Sequence, residues 1–451
     1  MTIFLYSVTV HVEKVIGENR IMSLRHKEYK DRLLDKTLEK NLSAFGAVEI
    51  IGSMWCGKTW MAEAHANSRI NLSTPGIKTI VEEDHSLAFE GDKPHVIDEW
   101  QEVPALWDET RLNVDSYPEE RGLYILTGSS TSRKEATLHS GTGRISRIHL
   151  RPMSLYETGD SDGSVSLSGL FDGKFKKSRV ETNLKEVAKC ICRGGWPGSL
   201  SLDNDSAKLI PNQYMDTLIS SVAEKSNVSE YRLRRFISSL ARNTGHAMTY
   251  KTIASDIAEG NIADRKELIS RQHIEKMIDF FKGRFIIEDL SGWDAPVKSK
   301  SRVRIKPKRN FVDPSLAASL LGINEARLLS DGQLFGQLFE ELCLRDLKIY
   351  TSCIESAYPG SVRYYRDSDG LEVDAIIELR DGRWAGIEIK LGDSKISEGV
   401  RSLLKLKEKV SSNPMARNAE PSFMAVLVGK TEFCRKTPDG IYVIPATSLT
   451  S

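Results

Sequence analysis

Gly52, four free positions, then Gly57-Lys58-Thr59 (GSMWCGKT) have the G-x-x-x-x-G-K-[ST] spacing. The chemistry on offer is phosphate capture. Glycines let successive backbone N–H groups point inward at phosphate oxygens, where a Cβ would obstruct the approach. Lys58 would reach the outer phosphates, and the Thr59 hydroxyl would ligate Mg²⁺. Such a loop also needs a second carboxylate for the ion and a group that orients the attacking water. The run His95-Val96-Ile97-Asp98-Glu99 supplies both, with Asp98 in the Mg²⁺ shell and Glu99 polarising water. A third run, GLYIL at 122–126, ends in Thr127-Gly128-Ser129-Ser130, where the γ-phosphate or its water would lie. Arg144 and Arg147, in GTGRISRIHL, could supply transition-state charge within the subunit or to a neighbour, although a solvent-facing arginine reads the same way.

These residues need an open parallel sheet to hold them. Val48, Ile50 and Ile51 form a brief apolar run ending at Gly52, as a buried parallel strand should. Thr59 to Asn67 has good helix formers and no internal Gly or Pro, so the loop feeds a helix N-terminus and its partial positive charge. The acids of Asp98-Glu99 follow by about one crossover connection.

The chain of 451 residues is long enough for roughly two to four domains. Its hydrophobic content of 40% and charged content of 28% are ordinary for a soluble globular protein. No apolar run approaches the ~20 residues needed to span a membrane. The first residues lack a basic lead-in and a small-residue cleavage site, so 1–27 read as a non-secretory extension, with Met22 an alternative start. Of six cysteines only Cys190 and Cys192 lie close together, which supports neither a disulfide framework nor a zinc site and fits a reducing cytoplasm.

A net charge of +1 makes no global case for nucleic acid. One local feature does. In KSKSRVRIKPKR, Lys298, Lys300, Arg302, Arg304, Lys306 and Lys308 take every second position, which puts them on one face of an extended strand. A basic ribbon of this kind could follow a phosphate backbone; a solvated edge strand would look identical. It closes a compact pattern over 231–325: three helices, then two strands, the order of a winged helix. The third helix, with Arg271, Gln272, His273 and Lys276, would be the recognition element, and the ribbon would fall on the wing. Winged helices also dock proteins, so a DNA partner and a protein partner both stand.

A second chemistry lies near the C-terminus, in LEVDAIIELRDGRWAGIEIKL. Two alternating strands flank Asp381-Gly382. A two-residue turn would mix their polar and apolar faces. A three-residue loop, Arg380-Asp381-Gly382 with Gly382 left-handed, matches them and places Asp374 across from Glu388, with Lys390 on the same face. An Asp followed by Glu-x-Lys on the neighbouring strand resembles the PD-(D/E)xK nuclease site, where two carboxylates bind Mg²⁺ and the lysine orients water. A solvated charge cluster on a nuclease-like fold that does not cut is the alternative.

The succession GSMWCGKT, IDEWQEVPALWD, YILTGSS, GRISRIHLRPMSLYE and RGGWPGSL resembles a family of bacterial and archaeal ATPases. That family joins an AAA-type P-loop module to a C-terminal region of uncharacterised function, and the match runs from about residue 28 to the end. The resemblance implies ATP binding by Gly52, Gly57, Lys58, Thr59 and the adjoining Trp60. It also implies Mg²⁺ and hydrolysis roles for Asp98 and Glu99 and a sensor-like Ser129. Trp55 and Cys56 depart from the family's smaller loop residues. For the helical acid that usually joins a PD-(D/E)xK site, G-x-L-F-E favours Glu340, whereas the periodicity of Leu334, Leu338 and Leu342 brings Glu341 nearer the buried stripe.

The expectation is therefore an α/β protein: an AAA-like P-loop core (28–157), a helical connector (158–230), a winged-helix-like domain (231–325) and a restriction-nuclease-like domain (326–451). It would be a cytoplasmic ATPase using ATP and Mg²⁺, acting on DNA under nucleotide control. The rival is a non-cutting switch that binds a protein partner. No membrane contact is expected, and a homo-oligomer fits an arginine supplied to a neighbour.

Overall fold

A computed structural model describes residues 24–129, 142–225, 228–246, 248–258, 270–293, 306–414, 416 and 418–451. Ser130 and most of the basic ribbon, Lys298 to Arg304, lie outside the described residues, as does most of the expected N-terminal extension. The chain divides into two compact units after Leu150.

In the first unit the short apolar runs are strands: β1 (Ala47–Ile51), β2 (Ser68–Asn71), β3 (His95–Asp98), β4 (Tyr124–Gly128) and β5 (Ile145–His149). They pair in parallel in the order β2-β3-β4-β1-β5. Every residue of β1, β3 and β4 is buried, as in strands covered on both faces. Register aligns Ile51 with Gly128 and with His149, while Ile97 aligns with Leu126. The carboxyl ends of the three central strands thus share one edge, where ligands of open parallel sheets bind. The helix after the loop spans Lys58–Ala64, shorter than its composition suggests. One apolar core includes Trp100, Trp107, Val114, Tyr124 and Leu126.

Among the helices of the second unit, three succeed one another at Glu230–Arg242, Tyr250–Ala258 and Arg271–Gly283. Ser229 and Ser270 cap the first and third by accepting from Arg232 N and His273 N. Phe236 and Phe281 stack between those two at 5.8 Å. An antiparallel hairpin follows. With β6 (Val165–Ser166) and β7 (Ser178–Arg179) earlier in the unit, its strands are β8 (Ile287–Leu290) and β9 (Lys308–Phe311).

The remaining strands are β10 (Val362–Arg366), β11 (Glu372–Glu378), β12 (Trp384–Lys390), β13 (Phe423–Val428), β14 (Phe433–Lys436), β15 (Tyr442–Pro445) and β16 (Leu449–Thr450). Seven strands form a mixed sheet, β10-β11-β12-β13-β15-β14-β7. The β11–β12 loop is the three-residue one that face matching requires: Leu379 N donates to Arg383 O at 2.9 Å, and Gly382 has φ +84°. Ala375 pairs with Ile387, so Asp374 and Glu388 oppose each other in the same register.

The polar face of this hairpin is only partly solvated: Glu388 is buried, while Glu372, Asp374, Glu378 and Lys390 stay partly exposed. The helix Ile396–Ser411 packs on it, and Ile376, Trp384, Leu403 and Leu406 belong to one core. Gly399 permits that approach, since a Cβ there would meet Glu388 Cβ at 3.2 Å and Val426 at 3.2 Å. Backbone bonds also suture the residues after β8 to the sheet edge. Trp293 N donates to Tyr364 O at 2.6 Å and Tyr364 N to Ser291 O at 3.0 Å, while Trp293 packs against Trp384.

His95 opens β3 with its ring buried and Nδ1 2.6 Å from Ser68 Oγ. Burial, reinforced by the Lys93 charge, pushes its pKa down to about 4. The unfolded chain therefore takes up this proton as pH falls from about 6.5 to 4, while the folded chain resists it. His95→Gln should narrow the stability difference between pH 7 and pH 4.5 by roughly 2 kcal/mol, measured by denaturant unfolding. An unchanged difference would mean that the imidazole ionises freely in the fold.

Candidate functional site

The loop after β1 turns on two glycines. A Cβ at Gly52 would lie 2.1 Å from Leu150 O. Gly57 has φ +99° and ψ +20° at the entry to helix Lys58–Ala64. Lys58 is buried and its Nζ donates to Ser53 O at 2.9 Å. The two unusual loop residues part company. Trp55 is half-exposed with a left-handed backbone, whereas Cys56 is fully buried and its Sγ contacts Leu150 O at 3.4 Å.

A segment upstream of β1 braces this loop. The buried Arg32 donates through Nη1 to Cys56 O at 2.9 Å. His26 stacks on Trp60 at 4.4 Å with an interplanar angle of 11°, and its Nε2 lies 2.6 Å from Glu63 Oε2. Neither Arg32 nor His26 belongs to a spacing motif, so sequence reading missed both.

The strand ends bring the remaining groups together. Asp98 is buried, and its Oδ1 accepts from Thr59 Oγ1 at 3.0 Å and from Thr127 Oγ1 in a close contact. Thr127 Oγ1 also accepts from Glu99 N at 3.1 Å. Glu99 has φ +55° and ψ +45°, and its Oε2 accepts from Ser129 Oγ at 3.2 Å and closely from Gln101 Nε2. Gly52, Gly57, Lys58, Thr59, Asp98, Glu99 and Ser129 thus lie along one edge. Thr127 and Gln101 are additions. Thr127 stood in the polar set read at the end of β4, and only its hydroxyl's double role was hidden. The hydroxyl of Thr59 and the carboxylate of Asp98 make an all-oxygen donor set, which suits a hard cation such as Mg²⁺.

Arg144 stands at the opposite end of the sheet from the phosphate loop. It immediately precedes β5, its O accepts from Ala47 N at 3.2 Å, and its Nε donates to Asp115 at 2.8 Å. Ala47 is the amino end of β1 and the phosphate loop leaves the carboxyl end, about 15 Å away along a strand of this length. Arg144 is therefore no part of this chain's own phosphate site. Arg147, within β5, donates from Nε to the buried Glu49 at 2.9 Å.

The second unit gathers its own charges. Lys390 Nζ lies 3.3 Å from Asp374 Oδ2 and in close contact with Glu388, while Ile389 N donates to Asp374 Oδ2 at 2.7 Å. On the helix Gly332–Ser352 it is Glu340 that senses Asp374. Glu341 is buried elsewhere, accepting from Thr244 Oγ1 at 2.8 Å and closely from Phe311 N, and burial pushes its pKa up to about 8. Burial, then the Asp374 charge, also raises the pKa values of Glu340 and Glu388. For Lys390, burial opposes the charge, but Asp374 and Glu388 outweigh it and hold its pKa above the usual lysine value.

Lys308 joins this cluster and overturns part of the ribbon reading. It is only 5% exposed, and its Nζ lies 2.7 Å from Glu372 and 3.3 Å from Glu340. Sequence alternation put Lys308 with five solvated cations because nothing local distinguishes it from Lys306, which is exposed. The carboxylates are thus spanned by two ammonium groups. Among the described residues no three of His, Cys, Asp and Glu are arranged to hold a metal ion. As built, the carboxylates expected to hold Mg²⁺, Asp374 and Glu388, are engaged by Lys390. Lys308→Met would leave Glu340 and Glu372 crowded without their cation. It should cost about 3 kcal/mol of stability by denaturant unfolding, against less than about 0.5 for Lys306→Met.

Three family models match successive parts of the chain. Residues 45–159 match the model of a family described as an AAA domain. Two families described as domains of unknown function match residues 184–327 (DUF8612) and 335–449 (DUF4143). No curated protein matches the chain significantly. Among solved structures, the Walker-type ATPase PABY2304 of Pyrococcus abyssi is similar at 15% identity and TM-score 0.41, covering 66% of this chain and 98% of that one. The Aeropyrum pernix ORC1 protein, solved in complex with DNA, is similar at 10% identity and TM-score 0.29, covering 67% and 96%. The ORC2 protein of the same organism gives 12% identity and TM-score 0.33, covering 66% and 93%. Likenesses this slight leave the reading to the chain's own residues. The segment 45–159 thus combines a phosphate loop and a parallel strand order with a match to the AAA domain model, which supports an AAA-type P-loop fold there.

Proposed function

We propose that the protein binds and hydrolyses ATP at the edge formed by β1, β3 and β4. The observation that carries this reading is the chain of hydrogen bonds from Thr59 through Asp98 and Thr127 to the backbone of Glu99. Loop N–H groups, with Gly52 and Gly57 clearing the approach, would cradle the phosphates; Lys58 would leave Ser53 O for the outer ones. Trp60, braced by His26, would border the nucleotide. Thr59 and Asp98 would hold the Mg²⁺, which supplies charge neutralisation across the outer phosphates. Glu99 would orient and deprotonate water, with Ser129 holding its carboxylate. The arginine, if one is used, would come from a neighbouring copy.

For the second unit we read the three helices and the β8–β9 hairpin as winged-helix-like, and the mixed sheet as a nuclease-like scaffold. Arg271, Gln272, His273 and Lys276 are exposed on the third helix, which favours DNA as its ligand, engaged under nucleotide control. The lysine-spanned carboxylates Glu340, Asp374 and Glu388 favour a scaffold that does not cut over a metal-dependent nuclease.

Lys58→Ala should abolish ATP binding. Glu99→Gln should keep binding within about twofold and lower turnover by roughly 10²–10⁴, as loss of a general base does. Equilibrium binding of a fluorescent ATP analogue and phosphate release measure the two. Unchanged affinity in Lys58→Ala would remove the foundation of the reading.

Supercoiled DNA should remain intact in Mg²⁺ and in Mn²⁺, with and without ATP, yet bind the protein. Arg271→Glu with Lys276→Glu should weaken that binding at least tenfold and flatten its salt dependence. Nicking that disappears in Asp374→Ala would restore the nuclease reading, and absence of DNA binding would favour a protein partner.

A further inference from the structure

We infer that Glu49 is a positioning residue for hydrolysis, fixing through Trp100 the backbone turn that aims Glu99. The inference rests on the ATPase reading above and extends it to a residue inside β1, the strand that leads into the phosphate loop.

Glu49 stands at the middle of β1, in the run AVEII, with no solvent exposure. A carboxylate in that place is expensive unless it is paired and hydrogen-bonded, and an apolar side chain would serve the sheet without that cost. Both of its oxygens have partners on different elements. Oε1 accepts from Trp100 Nε1 at 3.1 Å, and Oε2 accepts from Arg147 Nε at 2.9 Å. The Trp100 bond spans from β1 across β4, because Glu49 aligns with Leu126 and the indole lies over the next residue on that face, Gly128. A Cβ at Gly128 would meet Trp100 Nε1 at 3.2 Å and Gln101 Oε1 at 3.1 Å. The turn is therefore seated over a position of β4, Gly128, that offers no side chain to lift it.

That turn sets the direction of Glu99. A non-glycine residue in the left-handed region persists only when its surroundings over-determine it. Thr127 Oγ1 fixes the turn from the N–H of Glu99, the short helix Trp100–Glu102 closes with Glu102 N donating to Glu99 O at 2.9 Å, and the indole is pinned by Glu49. Gln101, carried on the same turn, holds the Glu99 carboxylate directly. Release of the indole would loosen both the backbone and this grip while leaving the phosphate loop untouched.

The full-length protein tests this with Glu49→Leu, Trp100→Phe, their combination, and Glu49→Gln, whose amide oxygen can still accept from Trp100. Glu49→Leu and Trp100→Phe should each lower kcat for ATP roughly tenfold, with KM and nucleotide affinity within about twofold. The double variant should be no slower than the slower single one, and Glu49→Gln should recover part of the loss. Independent, multiplicative losses would overturn the inference, as would kcat within twofold of the parent in Trp100→Phe. So would a fall in nucleotide affinity that matches the fall in kcat, which marks a general structural role. If Glu49→Leu does not fold, Trp100→Phe decides alone. A parent protein that binds ATP without hydrolysing it would sink the hydrolysis reading itself, and the inference with it.

Discussion

Asp98 is a buried carboxylate at the end of a buried strand, and a charge so placed must be satisfied. Two hydroxyls do it, Thr59 from the phosphate loop and Thr127 from the neighbouring strand. Those bonds tie three strand ends together, since Thr127 passes the link on to the backbone of Glu99. The parallel order β2-β3-β4-β1-β5 serves this junction. It brings the loop after β1, the acids after β3 and the hydroxyls of β4 to one edge, although long stretches of chain separate them.

Much of this was legible beforehand because the signals are local. Phosphate loops need glycine at fixed places for backbone reasons, and fully buried strands announce themselves as short apolar runs. The β11–β12 register was legible for a similar reason: matching faces with period two leaves few loop lengths, and Gly382 supplies the left-handed residue. What escaped was set by long-range packing. Arg32 and His26 acquire meaning only where their segment crosses the loop, and Gln101 only because Gly128 leaves room above β4. The placement of Arg144 was unreadable from its own neighbourhood. Strand direction put it at the far edge of the sheet.

Lys308 shows where a periodic reading fails. Alternation correctly reports that side chains at every second position share a face, but it cannot say what that face meets. Here the last lysine of the ribbon meets acids from a helix and from β11, so a residue read as a surface cation becomes the counter-ion of a buried cluster. The same holds for the polar face of β12, which a helix covers through Gly399. Spacing placed Asp374, Glu388 and Lys390 together as expected; the second ammonium group, which changes the chemistry of the set, came from about sixty residues upstream of Asp374.

The backbone suture between the residues after β8 and β10 has a mechanical meaning. Side-chain contacts can slide, but paired N–H and C=O groups in a sheet resist shear, because any slip breaks bonds that water must replace. Trp293, held at both its backbone and its ring, ties the residues after β8 to the edge of the mixed sheet. Moving the end of β8 away from β10 would therefore break those backbone bonds.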